Sequence, residues 1–149
     1  MANFTSTITE SWTGDTGTLD SSQTITIGSI TDVTKRVVNL TTAVTTLAQF
    51  GATVGTSVNA HDVNLVKYVR VTNLDSSINL KLGIIGAASC SNHILGPGES
   101  FVIGATDDTY LAEAATDPAH ASHADIATIE AIAASSTIAA EIVIAATAS

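Results

Sequence analysis

Residues 78–84 read Ile-Asn-Leu-Lys-Leu-Gly-Ile, with an apolar side chain at every second position. This pattern restricts the fold tightly, because strand side chains alternate between faces with period two while helical ones recur about every 3.6 residues. Read as a strand, the segment puts Ile78, Leu80, Leu82 and Ile84 on one face. Upstream, Leu65, Val69 and Val71 share one parity and Tyr68, Arg70 and Thr72 the other. Between the two runs, Leu74-Asp75-Ser76-Ser77 supplies turn chemistry, since Asp and Ser side chains bond backbone two residues on. The pair predicts a hairpin, 66–73 returning as 78–84.

Shorter runs repeat the theme. Residues 24–30 place Ile25 and Ile27 on one face, and 33–40 is followed by 43–50, which is expected to return on it. Gly96-Pro97-Gly98 is a tight turn, with proline fixing φ and glycine free to take a positive one; it leads into a strand at 100–103. The chain is rich in Thr, Val, Ile, Ser, Ala and Gly and poor in the charged straight-chain residues that exposed helices need. Short alternating runs between turn clusters predict an all-β fold, an antiparallel β-sandwich or barrel.

The two ends read differently. Residues 1–23, with Ser, Thr, Gly, Asp and the single Trp12, are expected to form an extended N-terminal arm, leaving 24–149 as one sandwich domain. Trp12 then either docks on a neighbour or plugs its own barrel. Residues 112–149 hold 15 alanines, and Ile126, Ile129 and Ile132 recur at helical spacing. Against a helix stand the alternation of Ile138, Ala140, Ile142 and Ile144 and the turn signal Ser135-Ser136. A closing hairpin, 125–134 with 138–147, is favoured, with 107–124 a long loop.

Length and charge set outer bounds. A chain of 149 residues fits one domain with a real core. One cysteine, Cys90, allows no disulfide within the chain. The first 24 residues lack the basic and apolar regions of a signal peptide, and the weakly polar run at 138–148 is shorter than a membrane span needs. The formal net charge is −9, and all five basic residues lie at or before Lys81. An acidic surface disfavours nucleic acid and anionic membranes as partners.

Four groups of residues carry possible chemistry. His120 and His123, with Asp117 and Asp125, could offer ligands to a divalent metal, but zinc needs about four ligands on a rigid frame, and a solvated loop is the simpler expectation. Cys90 and His93 bring a thiol near an imidazole, yet nucleophilic catalysis needs the pair opposed and oriented by a third group; a loop turn between strands is expected. Asp107 and Asp108 with Glu99 or Glu113 would have to flank a substrate at about 5 to 10 Å, and aromatic residues, at 4% of the chain, offer almost no platform for a sugar. No enzyme, metal or cofactor is therefore expected. The fourth group is basic: Lys35, Arg36, Lys67, Arg70 and Lys81. If 66–73 pairs with 78–84, Lys67, Arg70 and Lys81 share one sheet and face an acidic C-terminal third, an arrangement suited to self-association as well as to plain solubility.

With these strands placed, the chain resembles small bacteriophage virion structural proteins built as jelly-roll-like β-sandwiches, of the head decoration or cement type. The likeness is carried by Lys67-Tyr68-Val69-Arg70-Val71-Thr72-Asn73-Leu74-Asp75 and its return to Ile84, then by Leu95-Gly96-Pro97-Gly98-Glu99-Ser100-Phe101-Val102-Ile103. Ile129-Glu130-Ala131-Ile132-Ala133 before the last strand, and the run from Asp32-Val33-Thr34 to Gln49-Phe50, complete it. The alanine-rich end and the His-bearing loop match no motif of the group. The resemblance implies a non-catalytic protein on the virion head, made in the host cytoplasm. Its partners would be the major capsid protein and copies of itself, usually as a homotrimer. Alternatives are a neck or tail component, or a tail-fibre module recognising host glycans. Trp12, Lys35, Arg36, Lys67, Arg70 and Lys81 are the residues expected to meet partners.

Overall fold

A computed structural model describes residues 2–15, 17–52, 57–86, 90–104 and 126–148. Within them the chain forms ten strands: β1 (Ala2–Gly14), β2 (Gly17–Leu40), β3 (Thr45–Gly51), β4 (Ala60–Asp62), β5 (Val66–Asn73), β6 (Leu80–Gly86), β7 (Cys90–Leu95), β8 (Ser100–Gly104), β9 (Ile126–Ala133) and β10 (Ile138–Thr147). They make two five-stranded sheets, ordered β1-β2-β10-β5-β8 and β4-β3-β9-β6-β7. Every pairing is antiparallel except the short contact of β3 with β4. The fold is an all-β sandwich, as the alternation predicts.

Four antiparallel pairs nest inside one another along the chain: β2 with β10, β3 with β9, β5 with β8, and β6 with β7. Two more, β10 with β5 and β9 with β6, close the sheets. The main core lies between them, with Leu40, Leu47, Val71, Leu80, Leu82, Ile129, Ile142 and Ile144 almost wholly buried. Burying such side chains is worth about 1.5–3 kcal/mol each.

The expected hairpins need correction. β5 and β6 do not pair: one lies in each sheet, and residues 74–79 carry the chain across the sandwich edge. The same holds for β2 with β3 and for β9 with β10. Alternation reports which face of a strand is buried, and that face is the same whether the next strand pairs alongside or packs opposite. Turn residues are likewise shared by hairpins and inter-sheet arches.

The helical spacing near the C-terminus also has a physical cause. The register of β6 against β9 shifts between Ile85–Thr128 and Gly86–Ile126, leaving Ala127 as an extra residue. A bulge of this kind turns two residues three apart onto one face, so Ile126 and Ile129 both enter the core. A matching shift in β3 buries Leu47 beside Ala48.

The boundary expected at 23/24 falls inside the continuous strand β2. Residues 2–14 pair with 17–30 as a long ribbon. Its base folds onto the outer face of the first sheet, where Phe4, Ile25, Ile27 and Ile30 surround Tyr68 and Ala145. Phe4 and Tyr68 have ring centroids 4.7 Å apart, and the Tyr68 and Ser6 hydroxyls are 3.2 Å apart. Ser29, at φ 62°, holds a left-handed conformation where the ribbon meets the sheet.

Asn73 is the one buried polar residue among those described, with no exposed surface. Its amide donates to the carbonyls of Ile78, Leu95 and Gly96 at 2.8, 3.1 and 3.0 Å, and its oxygen accepts from the Asp75 amide. It thus ties the β5–β6 arch to the β7–β8 turn. Asp75 holds the arch from within, accepting from the Ser77 and Ile78 amides at 2.8 Å each. Gly98 (φ 74°) closes the other turn, whose Gly96 amide donates to the Glu99 carboxylate at 2.7 Å. Replacing Asn73 by Ala strips buried carbonyls of a donor and opens a gap. Asn73→Ala should lower unfolding free energy by about 2–4 kcal/mol, read as a shifted urea midpoint with an unchanged slope.

Candidate interaction surfaces

The five basic residues do not form one patch. In the first sheet, Val143 of β10 lies opposite Lys35 of β2 on one side and Arg70 of β5 on the other. Both cations reach diagonally to Glu141, one step along the same outer face. The Lys35 Nζ–Glu141 Oε2 distance is 2.9 Å and the Arg70 Nη2–Glu141 Oε1 distance 2.5 Å. The hydrogen-bonded Lys35 ammonium holds the Glu141 carboxyl below its usual range, with Arg70 adding to the effect against the opposing cost of burial. The triad clips three neighbouring strands and cancels one of the two positive charges there.

Arg36 points the other way. It lies opposite Ile142 on the inner face, where its guanidinium donates to the Asn59 side-chain oxygen and, at 2.5 Å, to the Leu47 carbonyl. Asn59 in turn donates to the Thr46 carbonyl at 3.2 Å. Arg36 therefore fastens β2 of the first sheet to β3 of the second. His61 on β4 stands near, its ring 6.1 Å from that of Phe50. Burial, then the Arg36 charge, pushes the His61 imidazole down, with Asp32 acting in the opposite sense. Its Nε2 is buried with no hydrogen-bond partner among the described residues.

Lys81 is placed on the outer face of the second sheet, so it does not join Arg70 as the expected hairpin implied. Lys67 is on β5. Neither has an ion pair among the described residues. Around Lys81 the outer face is concave, a depression of about 420 Å³ lined by Val44, Gly83, Ile85, Asn92, Ile94 and Ile132 among others. Gly83 makes the hollow: it faces Asn92 on β7 and Glu130 on β9 and contributes no side chain.

Trp12 is on the ribbon, directly opposite Leu19, and both are exposed. Its ring lies over Gly14, where an added Cβ would sit 2.1 Å from the indole.

The remaining candidates separate. Cys90 and His93 lie on strand β7, not in the expected loop, and their odd spacing sends them to opposite faces. His93 bonds the Ser91 hydroxyl at 2.9 Å and packs on Phe101, centroids 4.3 Å apart. Glu99 caps its own turn. Asp107, Asp108, Glu113, Asp117, His120, His123 and Asp125 lie outside the described residues. Among the described residues, no group of three or more His, Cys, Asp or Glu is placed to hold a metal ion, and no helix is long and apolar enough to cross a membrane.

Glu141 and Asn73 were not singled out by sequence reasoning. Glu141 meets Arg70 across 71 residues of chain, and no local signal marks such a pair. Asn73 directly precedes the Leu74-Asp75-Ser76-Ser77 turn signal, but nothing in that signal marks it as buried.

No protein-family model matches the chain, and no curated protein or solved structure matches it.

Two outcomes follow for stability. Because the folded state keeps His61 below its ordinary pKa, the unfolded chain binds more protons in the window just under about pH 6.5, and stability falls as pH drops through it. His61→Gln should flatten the change in urea midpoint between pH 7 and pH 5. Glu141 acts lower: its contribution is present above pH 4.5 and is lost as pH falls through its depressed folded-state value. At pH 7, Glu141→Gln should cost about 1 kcal/mol, with the deficit closing in acid.

Proposed function

We propose that the chain is a non-catalytic structural protein of a bacteriophage virion, a capsid decoration protein that binds and stabilises the head shell as a homo-oligomer. The observation that carries this reading is how the side chains divide their work. Within the body, the well-bonded polar groups hold the fold to itself: Asn73 ties two loops, Glu141 three strands, Arg36 two sheets. Of the large apolar side chains left exposed, Ile8, Trp12 and Leu19 stand on an open ribbon and Val44 and Ile94 on one sheet face. These surfaces suit protein neighbours rather than a small substrate, while Val33, Val37, Val58 and Leu74 are exposed elsewhere.

Three further points support it. Setting β1 and β4 aside, the orders β2-β10-β5-β8 and β3-β9-β6-β7 with their nested antiparallel pairs favour reading the sandwich as a jelly roll. That architecture recurs in viral capsid domains, although a fold alone fixes no function. The thiol and imidazole of β7 face apart, which leaves that pair without a catalytic geometry. A formal charge of −9 would keep a densely covered particle soluble and favours a protein lattice over packaged nucleic acid as partner. The major capsid protein and further copies of this chain are the partners proposed, with a trimer at local three-fold positions. The site of action is the outer head surface, after synthesis in the host cytoplasm.

Purified protein mixed with capsids of the encoding phage, depleted of accessory proteins, should co-sediment saturably at a fixed ratio to the major capsid protein. Binding that never saturates, or none at all, would overturn the decoration role and redirect the search to isolated tails.

A further inference from the structure

The ribbon has two chemically distinct faces. On one, Thr5, Thr7, Thr9, Ser11 and Thr13 lie opposite Thr26, Thr24, Ser22, Asp20 and Thr18, a wholly polar ladder. On the other, Phe4, Ser6, Ile8, Glu10 and Trp12 lie opposite Ile27, Ile25, Gln23, Ser21 and Leu19. The inner half of this second face packs on Tyr68 of the same chain. The outer half continues the stripe into solvent: Ile8 is 39%, Trp12 55% and Leu19 69% exposed. A two-stranded ribbon with nothing against it is marginal in water, so the stripe is built to be covered.

Among the described residues nothing covers the outer half of the stripe. The base is fixed to the outer face of the first sheet, and the apolar hollow at Gly83 lies on the outer face of the second, across the full thickness of the sandwich. That hollow is flanked by Val44 and Ile94, each 66% exposed. One pair of charges is complementary, Glu10 on the ribbon and Lys81 at the hollow. The ribbon carries Glu10, Asp15 and Asp20 and no basic residue, and Glu10 sits within the apolar stripe. The hollow carries Lys81, which has no ion pair among the described residues, and also Glu130, opposite Gly83. The spacing agrees too: Glu10 to Trp12 and Lys81 to Gly83 are each two residues along a strand, about 7 Å.

We propose that the outer half of the β1–β2 ribbon docks on the second sheet of another copy of this chain, Trp12 and Leu19 filling the hollow at Gly83 and Glu10 meeting Lys81. The contact is heterologous, ribbon of one copy to sheet of the next, so repetition closes a ring where the rotation permits. It does not require a capsid and stands apart from the decoration reading.

The single tryptophan is the reporter. Full-length protein at tens of micromolar should sediment as a closed oligomer with blue-shifted Trp12 emission, and dilution should shift the emission red as the mass falls. Lys81→Glu leaves the fluorophore untouched and should weaken association at least tenfold, with red emission at concentrations where the wild type is assembled. Glu10→Lys should do the same, and the double variant Glu10→Lys, Lys81→Glu should recover most of the lost association. Trp12→Ala should sediment as monomer with an unchanged far-ultraviolet spectrum. A wild type that is monomeric with red emission, or an oligomer whose mass ignores both Lys81→Glu and Trp12→Ala, overturns the proposal even if capsids are bound. Normal self-assembly with no capsid binding overturns only the decoration reading.

Discussion

The buried amide of Asn73 is the constraint on which one end of the sandwich depends. Its nitrogen is shared among three carbonyls from two loops, while its oxygen takes the Asp75 amide. Those loops connect β5 to β6 and β7 to β8, so both run between the sheets. Without a side-chain donor, carbonyls at the crossing would be buried unpaired, an arrangement that costs more than a hydrogen bond gains. An asparagine suits the place because it presents donor and acceptor at once without bringing a charge inside. The backbone amide of the same residue bonds the Glu99 carbonyl, and its own carbonyl accepts from Gly98, which makes this one residue the meeting point of strand, arch and turn.

Charge is used with similar economy. In a chain with five cations and fourteen anions, the cations are the expected contacts for partners. Three of them instead act within the fold, Lys35 and Arg70 through Glu141 and Arg36 through Asn59 and Leu47. Arg36 closes the sandwich beside His61 with a planar group that can bond two acceptors at once. Lys81, standing among apolar neighbours on an outer sheet face, is the cation whose surroundings most resemble an interface.

The all-β class was legible because alternation and β-branched composition speak directly about faces. Ile78 to Ile84, Val69 with Val71, and Ile138 with Ile142 and Ile144 gave the inward positions correctly, and Asp75 and Gly98 marked real turns. Partners were not legible. Each of the three expected hairpins is an arch between sheets, since nothing local distinguishes a neighbour beside from a neighbour opposite. The bulge at Ala127 disguised a strand as a helical repeat, and central strands override alanine's helix preference because both of their edges are paired. Trp12 stood out as the single tryptophan of an expected arm, but the two-faced ribbon that holds it emerges only once Ala2–Gly14 is set against β2.

The nesting of the pairs has a consequence for how the chain reaches its fold. β10 is the middle strand of the first sheet, yet its Ile138 pairs with Leu40, nearly the whole body of the chain away. The half of β2 over 32–40 must therefore wait for β10, and loop closure over that span is the slow kind. Among the four nested pairs the innermost, β6 with β7, closes over the shortest connection and is the natural place for order in the body to begin. Assembly from the inside outward leaves the ribbon-bearing strand to join last, so the surface that would meet a neighbour matures only when the body beneath it is complete.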